Sequence, residues 1–188
     1  MKIWNLKSGD PGAFSIASDV RCVDTDYTND HIWEVALEGG EPPALAVQTT
    51  FGLRARNLRL FPRFVEGDTA ISDPTLFSNP PTVHTFYPNY INISFSPLTG
   101  IEVKCEYWVP TSHVLSGRIQ VTNSRLSQRK IKVQWAATLS PTEGGQRMAP
   151  EQIEATTVLC GKTEDLNLVV FMTGGPEVSA GPYPALSL

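Results

Sequence analysis

The chain has no uninterrupted apolar stretch of about 18 residues, so no membrane-crossing helix is expected. Its first residues, Met1-Lys2-Ile3-Trp4-Asn5-Leu6, lack the apolar core of a secretion signal. Cysteine is scarce: Cys22, Cys105 and Cys160 are far apart and odd in number. These three features together predict free thiols in a reducing compartment, and hence a cytoplasmic chain. No segment sustains a helical apolar period, and Ala149 to Ala155 has room for one or two helical turns at most. Charge is thin as well. Charged residues make up 18% of the 188, and the formal net charge is -4. The one basic concentration, Arg54, Arg56, Arg59 and Arg63, is too small in an acidic chain to form a nucleic-acid face.

The usual carriers of chemistry are missing too. His31, His84 and His113 are not spaced as a metal motif, and no Cys or carboxylate pair flanks them at ligand spacing. There is no Gly-x-Ser-x-Gly elbow and no phosphate-cradling glycine loop leading into a helix. The glycine pairs at 39–40, 144–145 and 174–175 read as turns. Neither a cofactor nor a metal is expected, and the chain shows no catalytic motif of its own.

What the chain does have is alternation. Ile91, Ile93 and Phe95 interleave with Asn92, Ser94 and Ser96; after Pro97-Leu98-Thr99-Gly100, the residues Ile101, Val103, Cys105, Tyr107 and Val109 interleave with Glu102, Lys104, Glu106 and Trp108. Period two puts every second side chain on one face of a strand, and two such runs around a short Pro/Gly turn predict an antiparallel hairpin. Leu115 to Thr122 and Ile131 to Leu139 repeat the pattern, which predicts a four-stranded meander with one wet and one buried face. Cys105 falls on the buried face as a small apolar residue. Weaker strands are read at Phe14 to Cys22, His31 to Leu37, Ala44 to Phe51, Thr156 to Cys160 and Leu166 to Met172. Strand after strand with Gly, Pro and Asx punctuation predicts an all-β chain, an antiparallel two-sheet β-sandwich. Asn92-Ile93-Ser94 matches a glycosylation sequon, but it falls within a strand of a chain read as cytoplasmic and is set aside.

Three segments depart from the alternation. Pro62 to Pro88 carries five prolines and several aromatics, and reads as one long Pro-rich loop of functional or interface character. Ser140 to Glu151 reads as a second loop. Gly174 onward reads as a linker, which places a sandwich domain at 1–176 and a linker toward a missing C-terminal domain at 177–188.

Candidate site residues follow from these segments. Glu66, Asp68 and Asp73 share the long loop, and Glu143 and Glu151 share the second; paired carboxylates are what glycoside hydrolysis requires. Trp108 falls on the polar face of its strand, with Tyr87 and Tyr90 at the end of the long loop. Such rings could stack a sugar or cover an apolar patch against a neighbouring domain.

The run Phe51-Gly52-Leu53-Arg54-Ala55-Arg56-Asn57-Leu58-Arg59 is followed by Asp73-Pro74, Phe77, Pro80-Pro81 and Phe86-Tyr87-Pro88-Asn89. With Ser112-His113, Gly117-Arg118 and Thr173-Gly174-Gly175-Pro176, this series resembles bacterial glycoside-hydrolase-like proteins. In those proteins an N-terminal β-sandwich, often called a supersandwich, precedes an (α/α)6-barrel catalytic domain; glucoamylase-like enzymes, sugar phosphorylases and glycogen-debranching-like enzymes share the layout. The resemblance implies a supersandwich-like, non-catalytic accessory domain that packs on the C-terminal catalytic domain of the same chain and shapes substrate access. The catalytic carboxylates of such proteins belong to the barrel, so none is assigned here. Two alternatives stand beside it. One is a carbohydrate-binding module, with an oligo- or polysaccharide as partner. The other is an enzyme like the galactose mutarotases, whose acid and base would come from His84 or His113 with Glu143 or Glu151.

Overall fold

The computed structural model describes residues 4–5, 12–18, 32–37, 46–49, 57–140, 146–162 and 167–181. Fourteen strands and one short 3-10 turn, with no α-helix, make up the regular structure of these residues. The chain is all-β and sandwich-like, as its alternation requires. No helix among the described residues is long and apolar enough to cross a membrane, which says nothing about a β-barrel.

The first sheet has the order β1-β7-β8-β9-β10, from β1 (Trp4–Asn5), β7 (Asn79–Tyr87), β8 (Tyr90–Ser96), β9 (Ile101–Thr111) and β10 (Val114–Asn123). The second runs β11-β5-β4-β3-β2, from β11 (Lys132–Ser140), β5 (Asn57–Glu66), β4 (Ala46–Thr49), β3 (Ile32–Ala36) and β2 (Ala13–Ala17), with β6 (Thr69–Ile71) also paired to β5. A third, smaller sheet joins β12 (Gln146–Ile153), β13 (Thr156–Lys162) and β14 (Asn167–Val170). Every pairing is antiparallel.

The core lies between the first two sheets. From the first come Val83, Ile91, Ile93, Phe95, Ile101, Val103, Cys105, Tyr107 and Val109; from the second come Ile16, Trp33, Val35, Leu37, Leu58 and Phe64. In β9 the inward and outward positions alternate without a break from Ile101 to Val109. Phe95 ties the sheets together. Its ring stacks on Phe77 at 5.0 Å and meets the edge of Phe64, across the core on β5, at 5.8 Å.

Three expectations are corrected. The first is the loop at Pro62 to Pro88, which is instead β5, β6, a 3-10 turn at Pro74–Leu76 and β7. Proline is tolerated in a strand only where its missing N–H is not needed. Pro62 stands between the stretch of β5 paired to β4 (Leu58 to Leu60) and the stretch paired to β6 (Phe64 to Glu66), so one flank of β5 has no described partner there. Pro80 and Pro81 fall in a register irregularity between Asn79 and Thr82, Pro74 opens the 3-10 turn, and Pro88 forms the two-residue turn to β8.

The second is Ser140 to Glu151, with its adjoining one or two helical turns at Ala149 to Ala155. From Gln146 this stretch is strand β12, which turns at 154–155 into β13. The third is the meander. Strands β8, β9 and β10 are consecutive neighbours, but β11 crosses to the second sheet and pairs with β5 from Lys132↔Val65 to Ser140↔Asn57. The crossing is pinned by Arg129. It donates from Nε and one terminal nitrogen to both oxygens of Glu66 at 2.7 and 2.5 Å, and from the other terminal nitrogen to the Thr99 carbonyl at 2.6 Å. Residues 171–181 carry no strand, and 182–188 lie outside the described residues.

Candidate functional site

The outward face of the first sheet is built by register. The two-residue turn after Tyr87 sets Tyr87 opposite Tyr90, and the four-residue turn at 97–100 sets Tyr90 opposite Trp108. Three aromatic residues on three adjacent strands thus form one cross-strand row, continued on β10 by Ser116. Tyr87 is 60% and Trp108 36% exposed, whereas Ile91 beside Tyr90 and Tyr107 beside Trp108 point inward and are buried. The Tyr87 and Tyr90 rings lie 6.4 Å apart with their planes tilted by 40°.

The next row along the strands is polar: Thr85, Asn92, Glu106 and Arg118. Tyr90 donates its hydroxyl to Glu106 Oε1 at 2.7 Å, so its ring leans diagonally toward the polar row instead of standing off the sheet. Asn92 donates to the same oxygen at 3.4 Å, and Arg118 Nε donates to Glu106 Oε2 at 2.7 Å. A second Arg118 nitrogen pairs with that oxygen too. The Tyr90 hydroxyl and then the Arg118 guanidinium hold the Glu106 carboxyl below its usual range. Burial, and then its bond to Glu106, push the Tyr90 phenol up. Glu106 is therefore a fixed carboxylate, with both oxygens engaged, that clamps the aromatic row to its neighbour.

Beyond this row the face stays polar, with Ser94, Lys104 and Gln120 in register. The register irregularity between Val83 and Thr85 is a bulge that turns His84 to the same side, where its Nε2 lies 2.6 Å from Ser94 Oγ.

The other candidates are dispersed. Glu66 is held by Arg129, and that guanidinium lowers its carboxyl below the usual value. Asp73 caps the 3-10 turn, accepting from the Thr75 backbone N–H at 2.9 Å and its hydroxyl at 2.7 Å. Asp68 is exposed in the β5–β6 turn. Glu66 at the end of β5, Asp68 in the β5–β6 turn and Asp73 at the 3-10 turn therefore do not share one loop, and two of them do structural work. His113 lies exposed in the β9–β10 turn, Glu151 stands on β12 of the third sheet beside Cys160, and Glu143 lies outside the described residues. The acid and base of the mutarotase-like alternative thus fall on separate elements: His84 on the first sheet and Glu151 on the third. Of the basic concentration, Arg59 is buried and Arg63 donates to Gln134 at 3.3 Å, while Arg54 and Arg56 lie outside the described residues. Among the described residues no group of three or more His, Cys, Asp or Glu side chains is placed to hold a metal ion.

Sequence reasoning named Tyr87, Tyr90 and Trp108 but not Asn92, Glu106, Arg118 or His84 as companions to them. Counting register outward from the turns at 88–89 and 97–100 would have found Asn92 and Glu106, whereas Arg118 lies on β10 beyond the irregularity between Val114 and Ser116. The bulge that re-aims His84 leaves no such signal. No family model, no curated protein and no solved structure matches this chain.

Proposed function

We propose that this chain is a non-catalytic β-sandwich domain of a carbohydrate-active protein, and that it holds a saccharide on the outward face of its five-stranded sheet. One observation carries the reading: Tyr87, Tyr90 and Trp108 occupy a single cross-strand row beside a row of hydrogen-bonding side chains. A pyranose offers C–H groups on its faces and hydroxyls on its rim. Aromatic rings beside fixed donors and acceptors suit that pattern. Arg118 retains donors beyond those spent on Glu106, and Ser94, Gln120 and Lys104 extend the polar field.

Titration calorimetry with α- and β-linked glucan oligosaccharides tests the proposal. Binding should be saturable, and Trp108→Ala should weaken it by about tenfold, the scale of one lost ring contact of roughly 1.4 kcal/mol. Glucan binding that is unchanged in Trp108→Ala, or absent from the unaltered domain, would reject it.

A second reading rests on another surface. Ile153, Val169 and Phe171 expose 48, 49 and 63% of their surface on and just beyond the third sheet. An exposed apolar group of this kind suits packing against a catalytic domain of the same protein. The two readings use different faces, and one accessory domain can serve both.

A further inference from the structure

We infer that the ligand of the outward face is a single, uncharged, linear glycan chain that runs across the strands and fills three ring positions; this rests on the saccharide-binding reading above. Direction follows from register. Tyr87, Tyr90 and Trp108 are neighbours across β7, β8 and β9, so their row is perpendicular to the strands. Adjacent strands are about 4.8 Å apart, so the row spans about 10 Å, the length of roughly two to three pyranose units. A chain laid along a strand would meet one of these rings and then polar side chains only.

Charge follows from pairing. The outward positions of β9 and β10 carry Glu102, Lys104, Glu106 and Arg118, two of each sign. Glu106 and Arg118 are already joined, and both oxygens of Glu106 are occupied. A uronate or sulfate chain would find no spare cationic field, because a face with balanced charge gives no net attraction to a polyanion. Hydroxyl groups need only donors and acceptors, which this face has.

The tilt between rings separates a free chain from a crystalline one. The Tyr87 and Tyr90 planes differ by 40°. A right-handed sheet twist of about 20–25° per strand rotates successive positions in the row. A flat crystalline polysaccharide surface needs coplanar rings to touch all of them at once. A dissolved chain, free to rotate about each glycosidic bond, can present a face to each ring in turn.

The test compares chain lengths and physical forms on the folded domain. Calorimetry with linear glucan oligosaccharides of increasing length should show affinity rising by about tenfold from the disaccharide to the trisaccharide and then levelling off. Tyr87→Ala should erase that gain while leaving disaccharide affinity within about twofold; Tyr87 is 60% exposed, so the variant should keep its fold, which circular dichroism checks. Soluble glucan should retard the domain in affinity gels. Crystalline cellulose should not sediment it, and polygalacturonate should bind at least about tenfold more weakly than neutral glucan. Affinity independent of length, sedimentation by crystalline cellulose or preference for polygalacturonate would overturn the inference while a Trp108-dependent glucan affinity left the broader function standing. A domain that binds none of these glycans loses both.

Discussion

Arg129 grips Glu66 with two nitrogens and the Thr99 carbonyl with a third, joining the end of β5 in the second sheet to the β8–β9 turn of the first. The crossing from β10 to β11 hangs on this junction. Its other side is closed by Ser124, whose N–H reaches the Gly100 carbonyl at 3.0 Å, and by Arg125, whose side chain lies over Gly100. Gly100 has φ +81°, which favours glycine, and a Cβ there would meet the exposed Arg125 side chain, which would have to swing aside. A two-pronged, partly shielded pair of this geometry holds position better than a typical surface ion pair.

The junction should therefore be pH-sensitive. Glu66 is lowered below its ordinary 4.5 by the Arg129 hydrogen bonds, so below that value the unfolded chain binds a proton before the folded one does. Its stabilisation is whole above about 4.5 and is lost as pH falls through the lowered native value. Urea midpoints of the unaltered protein should exceed those of Glu66→Gln at pH 7, and the gap should close in acid. A gap that persists unchanged through acid pH would show that charge is not what holds the junction.

The legibility of the fold varies with how many sides of a strand are wet. β8 and β9 were readable because Asn92, Ser94, Lys104 and Glu106 face solvent while Ile91, Ile93, Val103 and Cys105 face the core. β5 was not. Leu58, Arg59, Phe61, Pro62 and Phe64 are all buried, so alternation disappears, and Pro62 argues against a strand unless its unpaired flank is known. The fourth strand of the apparent meander was readable as a strand, but its sheet was decided by Arg129 and Glu66, which lie 63 residues apart. The aromatic row was half legible for the same reason: residue types come from sequence, whereas adjacency comes from register.

Phe95 should be among the costliest core positions to truncate. It is buried and meets Phe77 and Phe64, so it contributes to the contact between sheets. Phe95→Ala should cost about 3–5 kcal/mol in urea unfolding, while Phe95→Leu, which keeps more of the volume, should cost less. A loss below about 1 kcal/mol would mean that the sheets are not packed through this ring.

The thiols should separate by reactivity. Burial pushes the Cys105 thiol up to about 12, whereas Cys160 is only partly buried and rises through burial and the nearby Glu151. Native protein treated with iodoacetamide should modify Cys160 at least on the order of 10³-fold faster than Cys105, which becomes accessible only on unfolding. Mass mapping of the two peptides gives the ratio. Because the folded chain keeps a proton that the unfolded chain releases above about 9, Cys105 should also make stability fall as pH rises beyond that point. Equal labelling of the two cysteines would place Cys105 outside the core.

The turn between β12 and β13 stores strain that one substitution can release. Glu154 has φ 52°, the only positive value on a non-glycine residue among those described. Its side chain gains nothing that requires this geometry: the bond at this position runs from Gln152 Nε2 to the Glu154 backbone carbonyl at 2.9 Å, which any residue supplies. A positive φ at the first residue of a two-residue hairpin turn, with none at Ala155, is the type II′ arrangement, in which a Cβ is strained and glycine fits best. Glu154→Gly should therefore stabilise the protein by about 0.5–1 kcal/mol, while Glu154→Val, β-branched and bulky, should destabilise it. Asparagine is the informative third variant. It tolerates a positive φ better than glutamate but keeps a Cβ, so Glu154→Asn should fall between glutamate and glycine in urea midpoint. The order glycine, asparagine, glutamate, valine is the signature of backbone strain; an order that follows side-chain charge instead would assign the effect to the carboxylate.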